Sequence, residues 1–230
     1  GRPGRKIARG CAPSVYFAAS ISRRQFPGAS IQVAPLNQGD HMTAARSDRR
    51  IRWGIISTAD IGMKKVTPGI QRSPHSEVVA IASRDLARAQ AAAKQLGIAK
   101  VYGSYEALLA DPEIDAVYNP LPNHLHVPWT LKALAAGKHV LCEKPIALNT
   151  EEAQQLIAAR EQSGKLVAEA FMVRFHPQWL RARELVRAGE LGEVRSIQTF
   201  FSYYNRDPAN VRNQVGIGGA LQAFAGRFDE

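Results

Sequence analysis

From Ile51 to Met172 the chain repeats one pattern, a short apolar run and then a longer segment rich in helix formers. That alternation restricts its fold more than any other feature. The runs "IRWGIIS", "SEVVAIAS" (76–83), "KVYG", "IDAVYNPLP", "KHVLCEKP" and "KLVAEAFM" read as six strands. Helices are expected between them: one starting near Ile61, "RDLARAQAAAKQLG" closing on Gly97, "SYEALLAD" and "HVPWTLKALAAG". The last, "NTEEAQQLIAAREQSG", has Asn149 or Thr150 as its cap and Glu151 and Glu152 in its first turn, where the helix dipole favours acids. Strands separated by such helices need crossover connections, which makes the sheet mostly parallel and covered on both faces. The expected fold class is α/β, a doubly wound parallel sheet.

In sheets of this kind, ligands bind beyond the carboxyl ends of the strands. The loops there are "STADIG", "SRD", "PLPNHLH" and "EKP". The first stands where a dinucleotide-binding protein carries a glycine-rich turn, with Ser57, Ala59 and Gly62 at the three glycine positions. Gly62 keeps the role of close helix–sheet packing. Serine and alanine still offer the backbone N–H groups that hold phosphate at a helix N-terminus, and Ser57 and Thr58 add hydroxyls. Asp60 and Ile61 complete the expected cradle. The same residues also suit an ordinary strand-to-helix turn.

The second loop bears on the choice of cofactor. An NAD site ends its second strand with an acid for the ribose hydroxyls, whereas an NADP site needs an arginine for the 2′-phosphate. Ser83 and Arg84 come first here, and Asp85 has a separate use as a helix cap. NADP is therefore favoured, with NAD as the alternative.

Charge distribution limits the other classes. The net charge is +10, but residues 1–50 hold nine Lys/Arg against two Asp/Glu, so only +3 belongs to the remainder. Residues 51–230 show no Lys/Arg stripe and no nucleic-acid-binding signature, so no nucleic-acid partner is expected. No apolar run approaches the roughly 20 residues of a membrane span, so no membrane partner is expected either. Cys11 and Cys142 lie far apart and suit a reducing compartment, and a cytoplasmic location is expected. Residues 1–48 read as a disordered basic leader. Within it "SRRQF" resembles a twin-arginine export signal, but Pro27 and a polar stretch stand where an apolar region should follow. The leader also fits a transit peptide, or an extension without function ahead of a natural start at Met42.

"PNHLH", then "GKHVLCEKPIALNTEEA" (137–153), then "AEAFMVRFHPQW" follow in order, and with them the chain resembles the Gfo/Idh/MocA oxidoreductases. "STADIG", "ASRD" and "FMVRFHPQW" are similar to the branch holding NADP-dependent D-xylose dehydrogenases and dihydrodiol dehydrogenases. The resemblance covers 51 to about 220. It implies a Rossmann-like domain over 49–172 and, over 173–230, the incomplete start of a second, mostly antiparallel α+β domain. The second domain opens with a helix ending near Gly192 and a long strand at 193–205. The implied function is NADP-dependent hydride transfer to or from a sugar, polyol or dihydrodiol, in a family of homo-oligomers.

The resemblance further implies Lys144 as the catalytic lysine near nicotinamide and substrate hydroxyl, with Glu143 beside it on the cofactor. Leu121, Asn123 and His126 would line the nicotinamide-ribose pocket, and Arg174 would reach cofactor or substrate. No metal is implied. Each residue also has a plain structural use: Lys144 as a solvated loop lysine, His126 as a helix-start residue, Arg174 as a surface charge. After the glycine run ending at Gly219 the likeness stops, as a truncation or frame shift would make it, and the family's acid/base partner for Lys144 is not recognised. Two alternatives thus stand beside the enzyme: a non-catalytic dinucleotide-binding module, and a basic nucleic-acid-binding protein resting on the leader alone.

Overall fold

The structure, a computed structural model, describes residues 49–198 and Phe200. The leader, the later part of the strand expected at 193–205 and the glycine run at 216–219 lie outside the described residues. The described chain falls into two compact units, one running to Met172 and the other starting at Val173.

The first unit is built on six strands: β1 (Ile51–Ile56), β2 (Ser76–Ala82), β3 (Lys100–Tyr102), β4 (Ala116–Asn119), β5 (His139–Cys142) and β6 (Val167–Glu169). All pairings are parallel and the order is β3-β2-β1-β4-β5-β6, so the chain changes direction across the sheet between β1 and β4. This is the doubly wound order of dinucleotide-binding domains, and it opens a crevice beyond the carboxyl ends of β1 and β4. Five helices connect the strands: α1 (Thr67–Gln71), α2 (Leu86–Leu96), α3 (Tyr105–Ala110), α4 (His126–Ala135) and α5 (Thr150–Ser163). Among the described residues no helix is long and apolar enough to cross a membrane.

The strands are apolar on both faces because helices cover both. Successive residues alternate between two cores. Ile56, Ala80, Ala82, Val117 and Val140 pack with Leu108, Leu109 and Leu134 of α3 and α4. Ile55, Ile81 and Tyr118 pack with Ala92 and Ala93 of α2, with Met63 and Ile70 against them. Gly54 permits a close approach, since a Cβ there would lie 2.8 Å from Leu108 Cδ2 and 3.0 Å from Ile114 Cδ1.

Helix boundaries follow side-chain chemistry. Asp85, Ser104 and Asn149 accept hydrogen bonds from the amides of Arg88, Ala107 and Glu152, capping α2, α3 and α5. Gly97 and Gly164 close α2 and α5 in the left-handed conformation. One opening was not legible in the sequence: a π-helical turn, Gly62–Val66, precedes α1 and leaves the buried Thr67 hydroxyl without a hydrogen-bond partner.

In the second unit α6 (Pro177–Arg187) is capped by His176, whose Nδ1 accepts from the Gln178 amide. It stops short of the end expected near Gly192, because the chain turns out through Gly189 at φ +74°. Glu193–Ile197, expected as the start of a long strand, is not in a strand. The sheet preference of Val194 and Ile197 comes from packing against cross-strand neighbours, so residue type alone does not place a strand.

The amino ends of the strands are tied by charge. The Asp115 carboxylate, just before β4, accepts from the Arg52 amide (3.0 Å), from Arg52 Nε and Nη2 (3.0 Å each) and from Arg49 Nη2 (2.5 Å). The buried Lys138 ammonium donates to the carbonyls of Asp111 (2.7 Å) and Ile114 (2.8 Å). The Lys100 ammonium at 2.8 Å holds the Asp111 carboxyl down at about 2 against the opposing effect of burial, helped by the Glu113 amide and the Tyr102 hydroxyl.

Because the folded value lies below the ordinary 3.8, the native state binds fewer protons than the unfolded one across that interval. The contribution is complete above about pH 4 and is lost as pH falls toward about 2. Thermal unfolding scanned against pH should show the midpoint falling across that window. Asp111→Asn should lower the midpoint at pH 7 and flatten the acid limb; an unchanged acid limb would remove Asp111 from the account.

Candidate functional site: a cleft at the carboxyl ends of the strands

Each loop is held at its root by the sheet. The parallel ladder runs one residue past each strand: the Ser57 amide donates to Ala82 O (2.9 Å), Ser83 to Tyr102 O (3.1 Å) and Glu143 to Asn119 O (3.0 Å). Two of these residues then turn the chain in the same way. Ser57 Oγ accepts from the Ala59 amide and Ser83 Oγ from the Asp85 amide, each at 3.2 Å.

Ser57 has φ +87°, the single positive φ at a non-glycine position among the described residues. This is the position of the first glycine in the usual fingerprint, so the tight turn is kept and serine carries the strain. The next helix begins at once, with the Met63 amide donating to Ala59 O at 2.9 Å. Amides of a helix's first turn have no partner within the helix and point toward an anion placed before it. Gly62 allows that helix to lie on β4: a Cβ would meet Tyr118 Cε1 at 3.3 Å and Pro120 Cγ at 3.5 Å.

These loops enclose a cleft of about 560 Å³. Of the residues expected at the site, Ser57, Thr58, Ala59, Ser83, Arg84 and Leu121 line it. Asp60 and Ile61 are exposed at the start of the helix, and Asp60 pairs with Lys64 at 2.6 Å. Asn123 is half-buried and opens a short 3-10 turn, Asn123–Leu125. Arg174 is exposed in the turn Met172–Phe175, beyond the boundary of the first unit.

His126 is not on the cleft wall. Its ring is 1% exposed, with Nδ1 2.6 Å from Pro145 O and Nε2 2.7 Å from Leu121 O. Burial pushes its pKa down, while the two carbonyls and the carboxylates of Glu143 and Glu169 act to raise it.

Glu143 and Lys144 follow β5, one strand further along the sheet, and both are half-buried. Glu143 Oε1 accepts from the Tyr118 hydroxyl (2.7 Å) and Oε2 from the Lys144 amide (3.3 Å). Burial, reinforced by the Glu143 charge, keeps the Tyr118 phenol protonated far above its ordinary range. The Ile146 amide donates to Glu169 Oε1 at 2.9 Å, so carboxylates at the carboxyl ends of β5 and β6 grip the backbone on both sides of Lys144. The Lys144–Pro145 peptide is cis.

His124 of the "PNHLH" stretch also lines the cleft, as do Arg88 and Tyr105, which were not singled out from the sequence. Arg88 carried a usable signal, since it falls in the first turn of the helix that directly follows the loop after β2. Tyr105 carried none, because it arrives from α3 and is fixed by edge-on contact with Trp129 (4.9 Å between ring centres, 87°). Asn119 was also missed. Fully buried, it donates to His126 O (3.1 Å) and accepts from the Leu121 amide (3.2 Å), shaping the loop after β4. Among the described residues no three His, Cys, Asp or Glu are grouped to hold a metal ion.

A doubly wound sheet with a helix N-terminus and a cleft at its switch point defines a dinucleotide-binding α/β protein. The particular family follows from comparison with known sequences. A sequence model of the Gfo/Idh/MocA oxidoreductase family, NAD-binding Rossmann fold, matches residues 51–171, and the chain belongs to that family. It is 55% identical over 169 residues to an uncharacterised oxidoreductase of Rhizobium meliloti, covering 74% of this chain and 51% of the relative. It is 52% identical over 158 residues to a D-xylose 1-dehydrogenase (NADP⁺) of Haloferax volcanii, covering 69% of this chain and 48% of the relative. Among solved structures it is similar to a point variant of a 3-ketoreductase from Actinomadura kijaniata in complex with TDP-benzene and NADP. That match has 39% identity and a TM-score of 0.71, over 76% of this chain and 54% of the other. The chain spans about half the length of the curated relatives it matches.

The strained turn makes its own prediction. Ser57→Val should cost roughly 1–3 kcal/mol in chemical denaturation, because a β-branched residue is poorly tolerated at positive φ. Ser57→Gly should stay within about 1 kcal/mol of the parent, relief of strain offsetting the lost Oγ contact. Equal effects of the two substitutions would show that the turn is not strained.

Proposed function

We propose that this chain provides the nucleotide-binding and lysine-bearing part of an NADP-dependent oxidoreductase acting on a sugar, polyol or dihydrodiol. The observation that carries the cofactor preference is the wall of the cleft after β2. Arg84 and Arg88 both line it beside Ser83 and Asp85, and Asp85 Oδ1 accepts from the Arg88 amide at 3.2 Å as the cap of α2. Two guanidinium groups and a serine suit a 2′-phosphate dianion. One oxygen of the Asp85 carboxylate is committed to the cap, and two guanidinium groups outweigh its single charge.

The residues fit a dinucleotide in other respects. Gly62 leaves room where any Cβ would crowd Tyr118, the first-turn amides after Ala59 suit a pyrophosphate, and a cleft of about 560 Å³ is of ligand-binding size. When bound, the nicotinamide supplies the carbon that gives or accepts hydride. The protein's part is to orient and polarise. The Lys144 ammonium would donate to the substrate oxygen, favouring the alkoxide-like charge that develops as hydride moves. Glu143 would fix the lysine by binding its amide, and is itself fixed by Tyr118. Asn123 would serve the nicotinamide-ribose side, and residues from Val173 onward, including Arg174, would open the substrate-binding portion. The sugar class is supported by the D-xylose dehydrogenase relative.

Titration with NADPH and NADH, followed by nicotinamide fluorescence, tests the cofactor assignment. Arg84→Ala and Arg88→Ala should each weaken NADPH about 10- to 100-fold, as loss of charge-assisted hydrogen bonds does, and should leave NADH nearly unchanged. Equal losses for both nucleotides would overturn the 2′-phosphate assignment. For the chemical step, Lys144→Ala should keep NADPH affinity and lower hydride transfer to aldoses or from dihydrodiols by about 10²- to 10³-fold. NADPH binding by the parent chain with no transfer to any such substrate would favour a binding module instead.

A further inference from the structure

The loop after β4 forms part of the cleft wall through Pro120, Leu121 and Pro122, and the loop after β5 carries Lys144. They follow different strands and are separated in sequence by α4 and β5. Beyond the ladder bond from the Glu143 amide to Asn119 O at their roots, one buried ring joins them. His126 Nε2 lies 2.7 Å from Leu121 O and Nδ1 2.6 Å from Pro145 O, so the imidazole spans from the wall of the cleft to the residue next to Lys144.

The ring cannot easily be placed otherwise. It sits at the first residue of α4, is 1% exposed, and its own carbonyl is held by Asn119 Nδ2 at 3.1 Å. The Asn119 Oδ1 holds the Leu121 amide, so both polar groups of the Leu121 backbone end on this pair of side chains. Carbonyl oxygens only accept, so using both ring contacts fully takes an N–H on each nitrogen. Burial, the larger effect, opposes that form, and the carboxylates of Glu143 and Glu169 favour it. With one N–H the ring donates to one loop and meets the carbonyl of the other with a lone pair, holding that side by packing alone.

The geometry points to His126 as a positioning residue, one that couples the cofactor wall at Leu121 to the Lys144–Pro145 segment so that the two open and close as one unit. It acts through backbone carbonyls and touches neither substrate nor cofactor. This deepens the oxidoreductase proposal, which rests on Lys144 keeping a fixed position beside the nucleotide.

Native-state amide hydrogen exchange on the free chain, at low denaturant, tests the coupling without any ligand. In the parent protein, amides of Leu121–His126 and of Lys144, Ile146 and Ala147 should share one opening transition, with the same midpoint and slope. In His126→Phe both segments should exchange about tenfold faster or more, the effect expected from losing buried hydrogen bonds, while β2 amides keep their parent rates relative to global unfolding. His126→Gln, which keeps a donor on one side, should accelerate the two segments unequally.

Asp115→Asn, at the opposite end of the sheet, serves as a control that lowers overall stability without separating the segments. Independent opening of the two segments in the parent chain, or acceleration of only one in His126→Phe, would overturn the coupling. Should the variants fail to fold, the parent transitions alone decide. The test is separate from nucleotide binding: a chain that binds no NADPH but shows common opening refutes the cofactor proposal and leaves the coupling standing. Where NADPH does bind, His126→Phe should weaken it and lower hydride transfer together, unlike Lys144→Ala, which lowers transfer alone.

Discussion

The helix after β1 can rest on Tyr118 and Pro120 because residue 62 has no side chain. Much of the site depends on that contact. It brings the first-turn amides over the carboxyl end of β4, where an anion between β1 and β4 would meet them. It also helps to immobilise Tyr118, a fully buried ring whose hydroxyl is committed to Glu143. Glu143 in turn receives the Lys144 amide. A close backbone approach on one side of the sheet is thereby linked, through one tyrosine and one carboxylate, to the position of a lysine two strands away. Packing of this kind transmits position because interiors are dense and few rotamers fit.

How much of this was legible in the sequence depended on whether the signal was local. The six strands and the helices between them were legible because short apolar runs, helix formers and capping residues are read within a few positions. Asp85, Asn149 and Gly97 occupy the caps that their residue types favour. The turn at Ser57 was legible as a location but not as a conformation, since nothing in a serine announces φ +87°. Tyr105 was invisible because it reaches the cleft from α3, and only the folded sheet brings that helix alongside. For His126 the sequence showed a polar residue in a loop after a strand. Residue type cannot say whether such a ring faces a ligand or turns inward, and here the carbonyls of Leu121 and Pro145 draw it inside. The end of α6 was misplaced for a smaller reason: two glycines, Gly189 and Gly192, both suit a helix stop, and the chain turns at the first.

Charge is arranged differently at the two ends of the sheet, and the difference bears on what the cleft can hold. At the amino ends, Asp111 and Asp115 are bound by Lys100, Arg49, Arg52 and backbone amides, so their charges are spent within the protein. At the carboxyl ends, Asp85 lines the cleft and gives one oxygen to the cap of α2, and Arg84 and Arg88 beside it outweigh its single charge on that wall. Helix N-termini add their partial positive charge on the same side. Returning Asp85 to a ribose would uncap α2, at a cost of about 1 kcal/mol, and would also set a carboxylate between two guanidinium groups that would bind it as an ion pair. A phosphate incurs neither cost. The cap and the arginines therefore reinforce each other: the cap holds one oxygen of the acid, and two guanidinium charges against one carboxylate favour a ligand that brings its own negative charge.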